Sequence, residues 1–124
     1  FIYTDNNESP KYIIPLSGSG LWGPIWGYIS VENDGNTVYG AYFAHQGETP
    51  GLGAEIEKPQ FQEQFQGKHF FIAVEKAGQK PQNGADYVDA VSGGTITSKG
   101  VQTMLQKCVK PYAKFLESLN SKNI

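Results

Sequence analysis

A single helical stripe near the C-terminus constrains this chain more than any other feature. From Val101 the apolar residues fall at Val101, Met104, Leu105, Cys108, Val109, Tyr112, Phe115, Leu116 and Leu119. That spacing of three and four puts one buried face on a long helix. Directly before it stands Asp89-Ala-Val-Ser-Gly-Gly-Thr95-Ile-Thr-Ser-Lys-Gly-Val101. Thr97 or Ser98 is a natural N-cap, because a short side-chain oxygen can accept from a first-turn N–H. A helix start offers unpaired N–H groups and a partial positive charge, so it favours phosphate. Gly93 and Gly94 let a ligand approach the backbone. Thr95 is thus a hydroxyl at the mouth of a candidate anion site. On these residues alone a plain capped helix after a glycine turn is the commoner arrangement, because caps and glycine turns are frequent.

The rest of the chain reads as α+β: a small, largely antiparallel sheet packed with helices and closed by the long C-terminal helix. Trp26 to Val31 alternates large apolar with small or polar residues and is expected as a strand. Glu32-Asn-Asp-Gly35-Asn36 is a turn, since Asn, Asp and Gly tolerate positive φ. Thr37 to Ala44 is the partner strand, with Val38, Ala41 or Tyr42, and Phe43 for packing and Gly40 as the mark of a bulge. A loop over Thr49-Pro-Gly-Leu-Gly53 leads into a short helix at about Leu52 to Ile56. Pro59 suits a first helical turn, and Gly67 stops that helix after Phe65. Strands are expected at His69 to Val74 and Tyr87 to Ala90, with a loop over Gly78 to Gly84. The final helix spans about Ser98 to Leu119 and kinks at Pro111. With 124 residues, residues 1–124 form a single domain.

Composition excludes several chemistries. A net charge of −2 carries no basic field for nucleic acid. All ten basic residues are lysines, so no bidentate arginine clamp exists for a phosphate. A phosphate would rest on backbone N–H groups, hydroxyls, Lys99 or a covalent bond. Cys108 alone permits no internal disulfide, and its place on the apolar stripe marks a small buried hydrophobe. His45 and His69 do not make a metal site by spacing, and no metal is expected. Asn7-Glu8-Ser9 matches the glycosylation pattern, which is short and frequent by chance. No stretch is long and apolar enough to span a bilayer. The chain starts at Phe1 without an initiator methionine, and an upstream part is expected.

A flat aromatic ligand needs apolar cover and a few polar contacts. Leu21, Trp22, Trp26 and Tyr28 lie in a glycine-rich segment suited to such cover. Trp26, on a strand, is expected in the core; Trp22, between Gly20 and Gly23, on a loop. Glu48 and Thr49 precede Pro50-Gly51-Leu52-Gly53, a second turn that brings backbone close to a ligand. His45 is expected to end a strand. Lys99 sits in the first helical turn, poorly placed for the helix dipole unless a phosphate is its partner.

These segments also carry a resemblance. Asp89-x-x-Ser92-Gly93-Gly94-Thr95 resembles the flavinylation motif of the FMN-binding domain family, with Gly94 where alanine is usual. Glu48-Thr-Pro-Gly51-Leu-Gly53 is similar to the family's Glu-Thr-Pro-Gly-Leu-Gly segment. Gly18-Ser-Gly20-Leu-Trp22 is similar to the Gly-x-Gly-Leu-Trp stretch of one subgroup. The segments stand in family order, and the likeness runs from about Leu16 to Val109. It implies FMN bound covalently, through a phosphoester to Thr95, by a dedicated flavin transferase that reads Asp89. It implies a cofactor site built from Leu21, Trp22, Glu48, Thr49, Gly51, Leu52, Gly53, Ser92, Gly93, Gly94, Thr97, Ser98 and Lys99. Members of the subgroup are electron-carrying subunits of membrane complexes that oxidise NADH, reduce quinone and move sodium ions. Each is anchored by one N-terminal helix, absent from this chain, with the domain on the extracytoplasmic face; the partners implied are the other subunits. A cousin subgroup serving ferredoxin:NAD oxidoreductases of the Rnf type carries the same flavinylation motif. A non-redox extracytoplasmic binding module is the reading from a different class.

Overall fold

The computed structural model describes residues 2–4, 10–70, 72–81 and 84–122; the Asn7–Ser9 pattern lies outside them. Its framework is a four-stranded antiparallel sheet in the order β1 (Ile2–Thr4), β2 (Pro10–Ser19), β3 (Pro24–Val31), β4 (Val38–His45). Alternation sets its faces. Ile25, Ile29 and Val31 of β3 point inward and are buried, while Trp26 and Tyr28 point outward. Trp26 is 40% exposed, which corrects its expected place in the core: the strand period of two, with Ile25 inward, sends its neighbour to the other face.

The β3–β4 turn forms as its residues require. Gly35 has φ +72°. The Asp34 carboxylate accepts from the amides of Asn36 and Thr37, each at 2.8 Å, and from the Thr37 hydroxyl at 2.5 Å. Burial alone would raise the Asp34 carboxyl; the bonds from Thr37 and Asn36, with His69 nearby, outweigh it and hold it below its ordinary value. Register then slips by one residue, Ser30 facing Gly40 and Val31 facing Val38, so the bulge lies where Gly40 marked it.

Beyond β4 the chain makes a 3-10 turn (Gly53–Glu57), a short helix α1 (Pro59–Gln62) and a second 3-10 turn (Glu63–Phe65). Ile56, Phe61 and Phe65 from these turns are buried. Phe43, Phe61 and Phe65 form a ring cluster with centroids 5.1–5.8 Å apart. Gly67, at φ +83°, ends the segment. His69 makes one antiparallel bridge to Thr37 before β5 (Ile72–Glu75), which pairs with β6 (Asp86–Asp89) in parallel. That pair was not expected from the sequence.

The stripe helix is α2 (Thr95–Val109), followed by a 3-10 turn at Lys110–Tyr112 and α3 (Ala113–Lys122). Pro111 sits inside that turn, as its missing N–H demands. Val101, Met104, Leu105, Val109, Leu116 and Leu119 are buried and belong to the main core cluster. Tyr112 and Phe115 are 40% and 46% exposed, because the turn at Pro111 rotates the stripe; Phe115 still meets Tyr12 edge-on, with centroids 5.2 Å apart. Helix α2 lies close on β2: a Cβ on Gly18 would come within 2.9 Å of Met104 Cβ, and one on Gly100 would strike the Ser19 carbonyl. Gln102 Oε1 accepts from the Val74 amide at 2.7 Å, tying α2 to β5. Tyr12-Ile-Ile-Pro15 is part of the ten-residue β2.

Candidate functional site

The start of α2 is where the sequence signals converge. The helix begins at Thr95, with Gly94 as N-cap and no side-chain capping bond. This corrects the expected caps, which lie one helical turn further in. Thr97 and Ser98 are buried inside the first turn. Ser98 Oγ accepts from the Val91 amide at 3.0 Å and donates to the Gly94 carbonyl at 2.8 Å, so it pins the glycine turn onto the helix. Gly93 has φ +74°, a conformation that side chains disfavour. Gly94 packs on Leu52: a Cβ there would lie 3.0 Å from the Leu52 carbonyl. Glycine in place of alanine relieves that contact.

In front of this turn lies a groove of about 440 Å³. Leu21, Trp22, Thr49, Leu52, Gly53, Gly93, Gly94, Thr95, Ile96 and Thr97 line it. Three segments far apart in sequence therefore meet there: the loop after β2, the loop after β4 and the first turn of α2. Trp22 is 68% exposed, Ile96 61%, Leu21 48% and Leu52 43%. Such exposure of large apolar side chains around one hollow is the makeup of a small-ligand site. No lining residue carries a charge. The first amides of a helix lack intrahelical partners, and here they are the polar donors next to Thr95.

Glu48 lies below this groove. It is buried, and its oxygens accept from the amides of Leu21 and Trp22, each at 2.9 Å, and from the Thr97 hydroxyl. Burial pushes the carboxyl up, but the bonds from Thr97, Trp22, Leu21 and Gly23 outweigh that and hold it below its ordinary value. Its amide donates to His45 Nδ1 at 3.1 Å. Nδ1 as acceptor leaves the ring proton on Nε2, which lies 3.6 Å from Glu57 Oε2.

Other expected site residues lie elsewhere. Lys99 is absent from the groove lining; its ammonium is 3.6 Å from Glu75 Oε1 of β5. Asp89, Ser92 and Gly51 line a neighbouring cavity of about 610 Å³ with Lys58, Gln60 and Gln64. Gln64 holds the Asp89 backbone from both sides, at 2.8 and 3.1 Å, and leaves its carboxylate exposed. No threonine is among the residues lining that larger cavity; its hydroxyl is Ser92. Ile96, which sequence reading passed over, is a lining residue; its position between two threonines on the first turn was the available signal. Among the described residues, no group of His, Cys, Asp and Glu could hold a metal ion.

A family profile for the FMN-binding domain matches residues 20–110, which cover all three groove segments. The chain belongs to the FMN-binding domain family. Among proteins of this family, it is 43% identical over 109 residues to the NqrC component of the Na(+)-translocating NADH-quinone reductase of Vibrio alginolyticus, covering 82% of this chain and 42% of that protein. The same component from Pasteurella multocida is 39% identical over 127 residues, covering 97% of this chain and 49% of the relative. The chain thus spans less than half the length of these two relatives. The crystal structure of the Parabacteroides distasonis counterpart superposes with a TM-score of 0.89 at 56% identity, over 94% of this chain and 61% of that one. Shewanella oneidensis NqrC gives a TM-score of 0.78 at 33% identity, over 97% and 59%. The small antiparallel sheet with its packed helices is therefore the fold of solved family members.

Proposed function

We propose that this chain is the FMN-carrying domain of an electron-transfer subunit in a membrane Na+-pumping NADH:quinone oxidoreductase, with FMN joined by a phosphoester to Thr95. The observation that carries this reading is Thr95 itself. It is the first residue of α2, on the wall of an apolar groove beside unpaired helix amides.

The residues present fit FMN. Gly53, Gly93 and Gly94 let the loop after β4 pack closely on the start of α2, since a Cβ at each would collide with Thr97 or Leu52; the helix amides beside Thr95 are the donors for a phosphate. Trp22, Leu21, Leu52 and Ile96 offer cover for a flat ring. No cation lines the groove, and the chain has no arginine; a phosphoester supplies the retention that ion pairing does not. Bound there, FMN would supply reversible electron carriage. The protein's share is to hold the phosphate end at the helix start, cover one ring face and leave the groove open to a redox partner.

Thr97 is unsuited as the acceptor, because its hydroxyl is buried and given to Glu48. Ser92 lines the neighbouring cavity. Asp89, exposed beside Ser92, suits recognition by a flavin transferase. The Vibrio alginolyticus relative, of which the match covers 42%, supports a larger parent protein. Among the described residues no helix is long and apolar enough to cross a membrane. Anchoring through an N-terminal helix, placement on the extracytoplasmic face and assembly with other subunits complete the proposal. NADH and quinone would bind on those subunits: Gly18-x-Gly20-x-x-Gly23 follows β2 but leads into β3 and not into the helix that a nucleotide fingerprint requires.

Production with a flavin transferase tests this. A yellow protein heavier by one FMN minus water, with Trp22 emission quenched in a Trp26→Phe background, is expected. Colourless protein of bare-chain mass under those conditions would favour a non-redox binding module.

A further inference from the structure

We infer that Glu48 is a positioning residue that clamps the two walls of the groove together, rather than a group that touches the ligand. Sequence reading places Glu48 among the cofactor contacts. The structure shows its carboxylate already committed. One oxygen accepts from the Leu21 amide and the Thr97 hydroxyl, and the other from the Trp22 amide. Leu21 and Trp22 form one wall, and Thr97 belongs to the first turn of α2, the other wall. The backbone is shaped to admit this carboxylate. A Cβ on Gly20 would come within 2.6 Å of Glu48 Oε1, and one on Gly53 would strike the Thr97 hydroxyl.

The chemistry requires a carboxylate. The backbone N–H groups of Leu21, Trp22 and Gly23 and the Thr97 O–H converge on it, and all of them are donors. A glutamine has one acceptor oxygen and an NH2 that cannot accept. However it turns, it sets a donor against a donor. Without the carboxylate the Gly20–Gly23 loop would rest on its local turn bond, from the Gly20 amide to the Gly23 carbonyl at 2.9 Å. The exposed Trp22 ring would then lose its fixed place over the groove. A buried negative charge directly below the groove also disfavours adding an electron above it.

The test has two arms, and only the second rests on the FMN reading. In the flavin-free domain, amide hydrogen exchange at Leu21 and Trp22 should rise about tenfold or more in Glu48→Gln, with β2 and β3 amides unchanged. Unchanged exchange at both amides would overturn the clamp. In the flavin-loaded protein, the visible circular dichroism of the flavin should weaken in Glu48→Gln and its midpoint potential should rise. A potential and dichroism equal to those of the parent would overturn the positioning role. Thr97→Val covers the case in which Glu48→Gln does not fold. It keeps the amide bonds and cuts the link to α2, so loop exchange should stay slow while the flavin dichroism weakens; an unaltered flavin signal contradicts the inference. If the parent protein takes up no flavin from the transferase, the FMN reading fails while the exchange arm still judges the clamp.

Discussion

The buried Thr97 hydroxyl donates to the buried Glu48 carboxylate across 49 positions of sequence. This bond joins the loop after β4 to the first turn of α2. It removes Thr97 from the set of free hydroxyls and leaves Thr95 facing the groove.

Gly53→Ala should damage that junction. Its Cβ would collide with the Thr97 hydroxyl, and overpacking of this kind costs about 1–3 kcal/mol. Gly47→Ala is the control, since a Cβ there meets nothing within 4 Å. Thermal unfolding should show a lower Tm for Gly53→Ala and little change for Gly47→Ala. Equal midpoints would mean that the loop yields freely.

Asp34 should give the fold a measurable acid sensitivity. Its folded-state carboxyl is held below the ordinary value of 3.8. Its contribution is therefore complete above that value and is lost as pH falls below it. Asp34→Ala should lower stability at pH 7 by about 1 kcal/mol, from the lost turn bonds. The gap between parent and variant should narrow progressively as pH falls below 3.8. A gap that is constant with pH would remove ionisation from the explanation.

Asp89→Ala should lower flavin loading by the transferase without disturbing the fold. Gln64 bonds to the Asp89 backbone, not its side chain, so the stability change should stay within about 0.5 kcal/mol. The flavin-to-protein absorbance ratio measures loading. Full loading in the variant would take Asp89 out of the recognition surface.

Much of this molecule was legible in the residues because its strongest signals are local. The stripe from Val101 marks the buried face of α2, Pro111 marks the turn that ends it, and Asp34-Gly35 marks the hairpin turn. The misses arose where tertiary packing decides. Thr97 is a good cap in isolation, but Glu48 draws its hydroxyl inward, and the helix starts at Thr95, three residues before the expected Ser98. Lys99 suits a phosphate by position along the helix, yet the rotation of α2 carries it to Glu75. Trp26 reads as core by its size, while its strand phase, fixed by Ile25 and Ile29, turns it outward. The parallel pairing of β5 with β6 depends on the whole path between them, which no local pattern encodes.

The central claim is that Thr95 carries the flavin, and peptide mass mapping of protein made with a flavin transferase tests it most directly. The account predicts one FMN phosphoester on the peptide containing Thr95, and none in Thr95→Ala, which should still fold because the Thr95 side chain is only half-buried and makes no capping bond. Denaturing-gel flavin fluorescence should vanish in that variant. A flavin-bearing Thr95→Ala protein, or modification mapped to Ser92 or Thr97, would contradict it.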